Sequence, residues 1–438
     1  MTKFLDSEQR WEIVTAEQVS NHFFHPTVTI CNFNRYRMSK MKEAGIGDDL
    51  ASYIFFLQTQ NYLFPRPVLP QVRAKYKEWA ANVTTMGLTE AEILMNMGHT
   101  CQGTVKVLIM PNAARRKHVA NPCNLSLEED HFEIRKVFNL EYSVNCIGLF
   151  SDDSVVGGND ARIGTSLLLD VQPEEYNELA GNNLLDVGFG LKLNYKNQSG
   201  FNKWINVSPG NHVWLAMKGR FNMPGDAENP SLFPAPCTMD PQLRYFDNGY
   251  YSKDMCHFEC TFADRLVQIC GCFLIPRGKL PGCSIMKLEQ CMYTYSTTKK
   301  FYDKEKTERC KSKCLDPCES VDISVSQSLT TFPAATKLKQ LVKLHPNLFG
   351  NRSLQEIRDR YVLIDIFWDS KTYTVTQYRL RSTIGLLASN LGGQMGLFLG
   401  ISIVTIIEAI VHFLVRPAYK LLSQRPKTTT GSTTTNTQ

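Results

Sequence analysis

Short segments in which apolar and polar residues alternate recur along the chain and are typical of β-strands, whose successive side chains face opposite sides of a sheet. The predicted strands cover residues 27–31, 163–171, 212–218, 361–368 and 372–378. Other segments repeat apolar residues at helical spacing. The predicted helices cover residues 46–64, 87–98, 336–343 and 353–360. This mixture predicts an α+β fold whose strands join distant parts of the chain.

The longest apolar stretch lies near the C-terminus, over residues 385–416. Its length is sufficient for one membrane-spanning helix, which needs roughly 20 apolar residues. Basic residues from Arg416 onward close the stretch and indicate a cytoplasmic end. The predicted domains are an extracellular ectodomain at 1–384, a transmembrane helix at 385–416 and a Thr-rich, solvated cytoplasmic tail at 417–438.

The N-terminal segment Met1–Ala16 is polar and charged. It has neither the basic and then apolar order of a signal peptide nor the length of a transmembrane helix. An extracellular domain needs such a segment ahead of it, so we expect that the sequence is truncated and that a first membrane helix precedes Met1. The alternative is that the C-terminal helix drives translocation of everything before it.

Composition and charge exclude several classes of protein. The chain has 438 residues, 43% of them hydrophobic, and a net charge of +6, as in an ordinary folded protein rather than a multi-span transporter. No long basic run precedes the C-terminal tail, so we predict no nucleic-acid partner. The sequence has no nucleophile elbow, phosphate-binding glycine loop or metal-ligand spacing, so we predict neither an enzyme nor a cofactor or metal site.

The chain contains fourteen cysteines, and nine of them fall between Cys256 and Cys318. Such density is typical of an oxidising compartment, in which disulfides persist. The spacing Cys310-x3-Cys314-x3-Cys318 would also suit zinc, but few histidines lie near it, there are no Cys-x2-Cys pairs, and sequons lie on both sides, so disulfides are favoured. Asn-x-Ser/Thr sequons support an extracellular location. The predicted glycosylation sites are Asn82, Asn124, Asn197, Asn206 and Asn351.

Three segments carry motifs of one known family. The first is PTVTICNFN at 26–34, the second is the cysteine series from Cys237 to Cys318, and the third is SNLGGQMGLFLGIS at 389–402. They resemble the degenerin, epithelial sodium channel and acid-sensing ion channel family. In that family the first motif follows the first transmembrane helix, and the third is the signature of the second. YVLIDIFW at 361–368 is similar to the last palm strand of the family.

The resemblance implies a hand-like ectodomain of palm, β-ball, knuckle, finger and thumb on a trimeric pore. It places the finger at about 45–135 and the thumb at about 237–320. It also implies a pairing of all the cysteines, which sequence alone leaves open. The implied disulfides are Cys31–Cys146, Cys101–Cys123, Cys237–Cys318, Cys256–Cys314, Cys260–Cys310, Cys270–Cys291 and Cys272–Cys283.

The resemblance places the selectivity filter of the pore at Gly400, Ile401 and Ser402. A glycine within a helix lets the backbone open, and carbonyls freed from helical hydrogen bonds can replace the hydration shell of permeant Na⁺. The glycines around this segment would also suit a GxxxG packing surface, an interpretation that the complete motif disfavours. Ile401 is bulkier than the residue usual there, so its effect on selectivity stays open.

Further pore residues follow from helical spacing and from the resemblance. Glu408 is a carboxylate in an apolar helix, which is costly unless functional. Thr405 and Glu408 fall on one helical face and are predicted to line a vestibule that attracts cations. The alternative is an ion pair between Glu408 and His412, or a carboxylate that reaches the headgroups. The resemblance places the gate at Ser389 and Asn390.

Together these features predict a subunit of a trimeric, sodium-selective and amiloride-sensitive channel of the plasma membrane, gated by a ligand or another stimulus through its ectodomain. Its partners would be identical or related family subunits and membrane lipid. One alternative is a truncated, non-conducting regulatory subunit. Another is a single-pass receptor or adhesion ectodomain, which would leave Gly400, Ser402 and Glu408 unexplained. The sequence does not specify whether protons, a peptide or force opens the channel.

Overall fold

A computed structural model gives the structure of the chain. The residues that it describes are 11–19, 23–59, 70–111, 117–119, 122–139, 144–152, 155–176, 187–195, 204–223, 237–238, 243–245, 251–272, 281–284, 286–287, 304–380, 384–400 and 403–423. The chain divides into two compact units, defined by their internal contacts. The large unit is Ile13–Tyr378, and the terminal unit is Met1–Glu12 together with Arg379–Gln438.

Strands occur along the whole length of the large unit. The described strands are β1 Trp11–Val19, β2 Phe23–Phe24, β3 Thr27–Asn32, β4 Val105–Met110, β5 Lys117–Val119, β6 Phe132–Asn139, β7 Val144–Ser151, β8 Val156–Gly157, β9 Thr165–Asp170, β10 Phe189–Asn194, β11 Ile205–Val207, β12 Asn211–Met223, β13 Cys237–Thr238, β14 Asp316–Pro317, β15 Ser320–Thr331, β16 Tyr361–Trp368 and β17 Thr372–Leu380.

The described helices lie between groups of strands and after the last strand. The α-helices are α1 Met38–Glu43, α2 Asp48–Thr59, α3 Pro70–Thr85, α4 Glu90–Asn96, α5 Cys101–Thr104, α6 Leu127–Asp130, α7 Lys253–Phe258, α8 Asp264–Cys270, α9 Lys304–Lys311, α10 Leu338–Leu344, α11 Pro346–Phe349, α12 Leu354–Arg360, α13 Ile384–Leu399, α14 Ile403–Ile410 and α15 Arg416–Ser423. Short 3-10 turns lie at Pro122–Asn124, Pro173–Glu175 and Ala335–Lys337, and π-turns at Glu259–Ala263 and Val411–Val415.

The larger sheet has the strand order β1-β17-β12-β16-β9-β4-β5, and β15 pairs with β12 beside this path. β12 organises the sheet. It is antiparallel to β15 from Asn211↔Thr331 to Asn222↔Ser320. Its first part is parallel to β16 and its last part is parallel to β17, so these two strands follow each other along β12. Such parallel pairs need crossover connections, and they bring distant parts of the chain together as predicted.

The second sheet has the strand order β11-β10-β3-β7-β6. Every residue of β3 and of β10 is buried, because side chains on both faces of these strands are covered. Apolar residues of the two sheets form one hydrophobic core, which includes Val28 and Leu149 from the second sheet and Leu215 and Ile364 from the larger one. Burial of this apolar surface is the main term that stabilises the large unit.

A helical cluster formed by α1 to α4 packs beside the second sheet. Its core includes Tyr36, Ile54, Tyr76 and Trp79, together with the Cys31–Cys146 disulfide. α4 begins at a capping box in which the Thr89 side chain accepts a hydrogen bond from the Glu92 amide, while the Glu92 side chain accepts one from the Thr89 amide. The predicted helix at 46–64 is present from Asp48 to Thr59, and its last residues, 60–64, lie outside the described residues.

A second group of helices, α10 to α12, covers the other face of the larger sheet. Phe349 and Ile357 from these helices are fully buried against Val107, Leu168 and Tyr361 of the sheet. α12 also begins at a capping box, formed by Ser353 and Glu356. The sheet is therefore buried on both faces where these helices lie, and the disulfide-rich unit has the mixed α and β composition that the sequence predicted.

Candidate functional site

The terminal unit contains the segment on which the predicted pore residues lie. α13 ends at Leu399, Gly400 has a φ of +62°, and helix resumes at Ile403. The Gly400 amide still donates a hydrogen bond to the Gly396 carbonyl at 3.1 Å. A glycine in the left-handed region is a common way to end an α-helix, because a Cβ is unfavourable there. The apolar segment predicted at 385–416 therefore contains two helices with a break at Gly400, the glycine at which the sequence analysis expected the backbone to open.

The break falls on the predicted selectivity filter. Gly400 is the residue at which α13 ends, while Ile401 and Ser402 lie outside the described residues. The positions of the Ile401 and Ser402 side chains, and the effect of Ile401 on selectivity, therefore stay predictions. Helix ends leave backbone carbonyls without partners inside the helix, so the C-terminal turn of α13 offers oxygen ligands at this point.

The predicted gate residues, Ser389 and Asn390, are exposed side chains within α13. A Cβ added at Gly392 or Gly393 would meet no atom within 4 Å, so the small-residue face of α13 is open in the single chain. The structure therefore places the gate residues and the glycine face on one helix.

The predicted vestibule residues, Thr405 and Glu408, are one helical turn apart on α14, and both are exposed. Among the described residues, no ion pair joins Glu408 to His412. Instead, Arg416 Nη1 donates a hydrogen bond to His412 Nδ1 at 3.2 Å. The proposed alternative role of His412 as the partner of Glu408 is therefore not seen in this structure.

Large apolar side chains are exposed on both sides of the break. Leu397 and Phe398 are 81% and 79% exposed, and Phe413 is 74% exposed. An exposed apolar surface of this kind is typical of a site that contacts another apolar surface.

Among the described residues, the structure contains no helix that is both long and apolar enough to cross a membrane.

The predicted thumb is held by adjacent disulfides. Cys256 and Cys260 are one helical turn apart, as are Cys310 and Cys314 on and after α9, so two helical segments can be joined twice side by side. The bonds are Cys256–Cys314 and Cys260–Cys310. The two disulfides are close together, since Cys260 Sγ of one lies 3.8 Å from Cys314 Sγ of the other. These sulfurs resemble a metal-binding group, but disulfide-bonded cysteines offer no thiolate to zinc.

Four further disulfides have the implied pairing, so six of the seven implied bonds are present in the structure. They are Cys31–Cys146, Cys101–Cys123, Cys237–Cys318 and Cys272–Cys283. The seventh implied bond, Cys270–Cys291, lies outside the described residues because Cys291 does. The buried Glu259 adds a polar anchor next to the thumb bonds, since its carboxylate accepts hydrogen bonds from the Arg244 and Tyr245 amides at 2.9 and 2.7 Å.

The sequon asparagines that the structure describes are all exposed, namely Asn82, Asn124, Asn206 and Asn351. Asn197 lies outside the described residues. An exposed asparagine is a requirement for N-glycosylation, and these four positions meet it.

Sequence reasoning missed a polar cluster on the larger sheet. Asp365 is 7% exposed on β16. Its Oδ2 lies 2.8 Å from His212 Nε2 on β12, and its Oδ1 accepts a hydrogen bond from Ser166 on β9. The His212 ring in turn lies over Trp214, with ring centroids 3.9 Å apart. The signal in the sequence was a single carboxylate within an otherwise apolar strand, because a buried charge needs polar partners.

Two further histidines, His25 and His99, are buried. His25 Nε2 lies 2.6 Å from Thr165 Oγ1 in the core, and burial lowers the pKa of His25 to about 4. Burial likewise lowers the pKa of His99 to about 4, although Gln172 hydrogen-bonds to its Nδ1 at 2.8 Å. Both imidazoles are therefore neutral near pH 7. Neither position had a sequence pattern that distinguished it from a surface histidine.

The comparison with known families settles the class of protein. A family model described as "Amiloride-sensitive sodium channel" matches residues 2–412. The chain belongs to this family, which confirms the resemblance found in the sequence. Members of this family are ion channels and not enzymes, so the prediction that the chain is no enzyme is confirmed by its family.

Individual relatives extend this result. The chain is 29% identical over 295 residues to the bile acid-sensitive ion channel of Rattus norvegicus, with 65% of this chain and 55% of that protein covered. It is 31% identical over 175 residues to the human protein of the same name, with 40% and 33% covered. It is 24% identical over 429 residues to acid-sensing ion channel 2 of Danio rerio, with 93% and 72% covered. The chain thus spans about half the length of the rat relative and about a third of the human one.

Proposed function

We propose that the chain is a subunit of a trimeric, sodium-selective channel whose ion pathway passes the helix break at Gly400. The observation that carries this proposal is the left-handed Gly400 between two apolar helices, at the position that resembles the filter of the family. The family membership supports a role in sodium conduction.

The chemistry of the break suits a cation. The last carbonyls of α13 lack partners within the helix, and they form the negative end of the helix dipole. Three copies of the segment would bring these oxygens, together with those of Ile401 and Ser402, into a narrow ring that replaces the hydration of Na⁺. The channel then needs no cofactor, since backbone oxygens are the ligands.

The surrounding residues have matching roles in this proposal. Thr405 and Glu408 line the vestibule, where the carboxylate raises the local cation concentration. Ser389 and Asn390 form the gate. The exposed apolar side chains of α13 and α14, such as Leu397 and Ile407, contact lipid and neighbouring subunits, because the membrane covers the apolar surface that a single chain exposes.

The large unit has the properties of an extracellular domain. The exposed asparagines of the described sequons and the oxidised thumb cysteines both suit the outside of the plasma membrane. We assign the ectodomain to 1–384, with the finger at about 45–135 and the thumb at about 237–320. The membrane helix is assigned to 385–416 and the cytoplasmic tail to 417–438. The partners are identical or related subunits, and the channel is amiloride-sensitive and opened through its ectodomain.

The test is electrophysiological and compares two glycine variants. The chain is expressed in oocytes together with a related family subunit, and the reversal potential is measured in Na⁺ and K⁺ solutions with and without amiloride. Gly400→Val forces a β-branched side chain into the left-handed region, so we expect loss of the preference for Na⁺. Gly392→Val, where a Cβ meets no atom within 4 Å, is the matched control and should keep the preference.

Two results would contradict the proposal. One is an unchanged Na⁺ to K⁺ permeability ratio in the Gly400→Val channel. The other is an equal change in both variants, which would favour a packing role for all glycines of the segment over a filter at Gly400.

A further inference from the structure

Two histidines from distant parts of the chain face each other on the surface of the large unit. His118 lies on β5, and His345 lies between α10 and α11. Their ring centroids are 6.2 Å apart and the ring planes differ by 21°. His118 is exposed and His345 is half-buried, so solvent and dissolved ions reach the pair.

Both rings are carried by fixed backbone. The His345 amide donates a hydrogen bond to the Leu341 carbonyl at 3.0 Å, and the His345 carbonyl accepts bonds from the Leu348 and Phe349 amides at 3.1 Å each. This residue therefore ends one helix and begins the next. His118 is held in register opposite Ile109 by the β4–β5 pair. Two ligands on fixed backbone lose little conformational entropy when a metal binds, which favours chelation.

Neighbouring apolar residues determine where the rings of His118 and His345 lie. Phe349 is fully buried, and its ring lies at an angle of 81° to that of His345, with centroids 6.2 Å apart. Ile109, opposite His118, packs against the same hydrophobic cluster as Phe349. The pair thus lies at the edge of the contact between the larger sheet and the helices that cover it.

Lys117, the charged residue next to His118 in the sequence, lies on the opposite face of β5. Successive residues of a strand face opposite sides, so Lys117 and Val119 both point away from His118. Val119 enters the core, and Lys117 pairs with Asp130 at 3.5 Å. The adjacent lysine therefore does not approach the imidazoles as a competing cation.

We propose that His118 and His345 form a binding site for a divalent transition metal, with Zn²⁺ as the ion of choice. Neutral imidazole is a preferred zinc ligand, with Zn–N distances of about 2.0–2.1 Å. Two imidazoles that share one ion at these distances have ring centroids about 5–6 Å apart. The observed centroid separation of 6.2 Å is close to this value, so the two rings can share one ion once each side chain turns a nitrogen towards it, and water completes a tetrahedral shell.

A metal at this position would join the β4–β5 hairpin to the turn between α10 and α11. It would act as a removable cross-link between the sheet and its helical layer, because both ligands belong to different elements. The site is independent of the pore segment and of the proposed channel activity. A failure of zinc binding would therefore leave that proposal untouched, and the reverse also holds.

The experiment is a titration of the purified full-length chain with ZnCl₂ after treatment with EDTA. Binding is measured by calorimetry, and the melting temperature is measured with and without the ion. We expect His118→Gln and His345→Gln each to raise the Kd for Zn²⁺ at least tenfold. Zinc should raise the melting temperature of the unmodified chain by a few degrees, because a ligand that binds only the folded state stabilises it. It should not raise that of the variants.

Three further measurements make the result specific. His131→Gln removes another surface histidine and should leave the affinity unchanged. His345→Asp retains a zinc ligand, so it should bind more tightly than His345→Gln. Melting temperatures in EDTA show whether each variant folds. Equal zinc affinity in the unmodified chain, His118→Gln and His345→Gln would overturn the proposal, and so would an equal loss of affinity in His131→Gln.

Discussion

At the scale of single residues, the buried histidines make the stability of the fold depend on pH. Burial lowers the pKa of His25 and of His99 to about 4 in the folded chain, while an unfolded histidine titrates near 6.5. As the pH falls from about 6.5 to 4, the unfolded chain takes up protons that the folded chain does not. We expect the free energy of unfolding to fall by roughly 3 kcal/mol for each histidine over this range.

The measurement is the melting temperature of the chain between pH 7.5 and 4.5. His25→Gln keeps a hydrogen-bonding group opposite Thr165 but cannot titrate, so the loss of stability in acid should be about half as large. His99→Gln should reduce the loss by a similar amount, because burial lowers the pKa of His99 in the same way. A His25→Gln variant with the unmodified pH profile would show that His25 is not the source of the effect.

A second prediction at the scale of single residues concerns Gly164, which lies in close contact with the backbone of β16. A Cβ at this position would lie 2.4 Å from the Ile366 carbonyl oxygen and 2.8 Å from the Phe367 Cβ. Backbone atoms of a central strand cannot move aside, so Gly164→Ala should lower the free energy of unfolding by about 1–3 kcal/mol. Gly47→Ala, where a Cβ meets no atom within 4 Å, should change it by less than about 0.5 kcal/mol. Equal denaturation midpoints for both variants would contradict the close contact.

At the scale of elements, the paired thumb disulfides should not act independently. Cys256–Cys314 closes a loop of 58 residues, and Cys260–Cys310 lies inside it with a separation of 50 residues. While one bond remains, loss of the other frees only a short additional loop. We expect replacement of either pair by serine to lower the free energy of unfolding by about 2 kcal/mol, near the lower end for a disulfide. Replacement of both pairs should cost more than the sum.

The test is a double-mutant cycle on the full chain, with denaturation measured under non-reducing conditions. Cys272–Cys283, with a separation of 11 residues, provides a bond outside the pair. The loss of unfolding free energy on its removal should simply add to the loss caused by removing either thumb bond. Strict additivity within the pair would show that the two bonds restrict separate parts of the unfolded chain.

The elements that the sequence predicted best are those whose periodic pattern decides their structure. β16 covers the predicted residues 361–368, and β9 lies within 163–171. Thr89 begins α4 through the capping signal that the sequence shows. Apolar alternation and a cap are local properties, so these predictions need no knowledge of distant contacts.

Elements that depend on distant partners were missed or cut short. The predicted strand at 212–218 is longer, Asn211–Met223, because β15 pairs with it along its full length. β15 itself was not predicted, since its exposed face is a row of serines and threonines that resembles a loop. α3 was not predicted because its mixed polar surface carries only a few buried residues, such as Tyr76 and Trp79.

The candidate site likewise combines a residue that a local motif predicted with residues that only the fold brings together. The motif identified Gly400 as a special position, and the structure has the helix break there. The contact between His212 and Asp365 could not be predicted, because the two residues are 153 positions apart and meet only through the β12–β16 register. The His118 and His345 pair depends on the same kind of long-range packing.

At the scale of the whole molecule, the proposed pathway gives Glu408 a measurable role. Its carboxylate is exposed on α14, one turn from Thr405. In a channel of three subunits, Glu408→Gln removes three negative charges from the vestibule. We expect the single-channel Na⁺ conductance to fall by about twofold or more at low ionic strength, and less in high salt, because salt screens the charge. A conductance that is equal at all salt concentrations would argue against a vestibule position.

The proposed gate makes the last prediction, and it too rests on the assembled channel. Ser389 is a small, exposed residue in α13, ten residues before the end of that helix at Leu399. If three copies of Ser389 meet where the pathway closes, an aromatic side chain at this position prevents closure by its volume. Ser389→Phe should therefore leave a standing Na⁺ current without any stimulus, measured as the current removed by replacing external Na⁺.

The control for the gate is a neighbour on the same helix. Leu391 is 52% exposed and lies about 200° around the helix from Ser389, so it faces away from the same axis. Leu391→Phe adds similar bulk on the other side and should keep the channel closed at rest. Normal closure in Ser389→Phe would remove Ser389 from the gate, and standing currents in both variants would mean that added volume anywhere on α13 disturbs closure. Only a current confined to Ser389→Phe supports a gate at this residue, because only there does added volume enter the pathway.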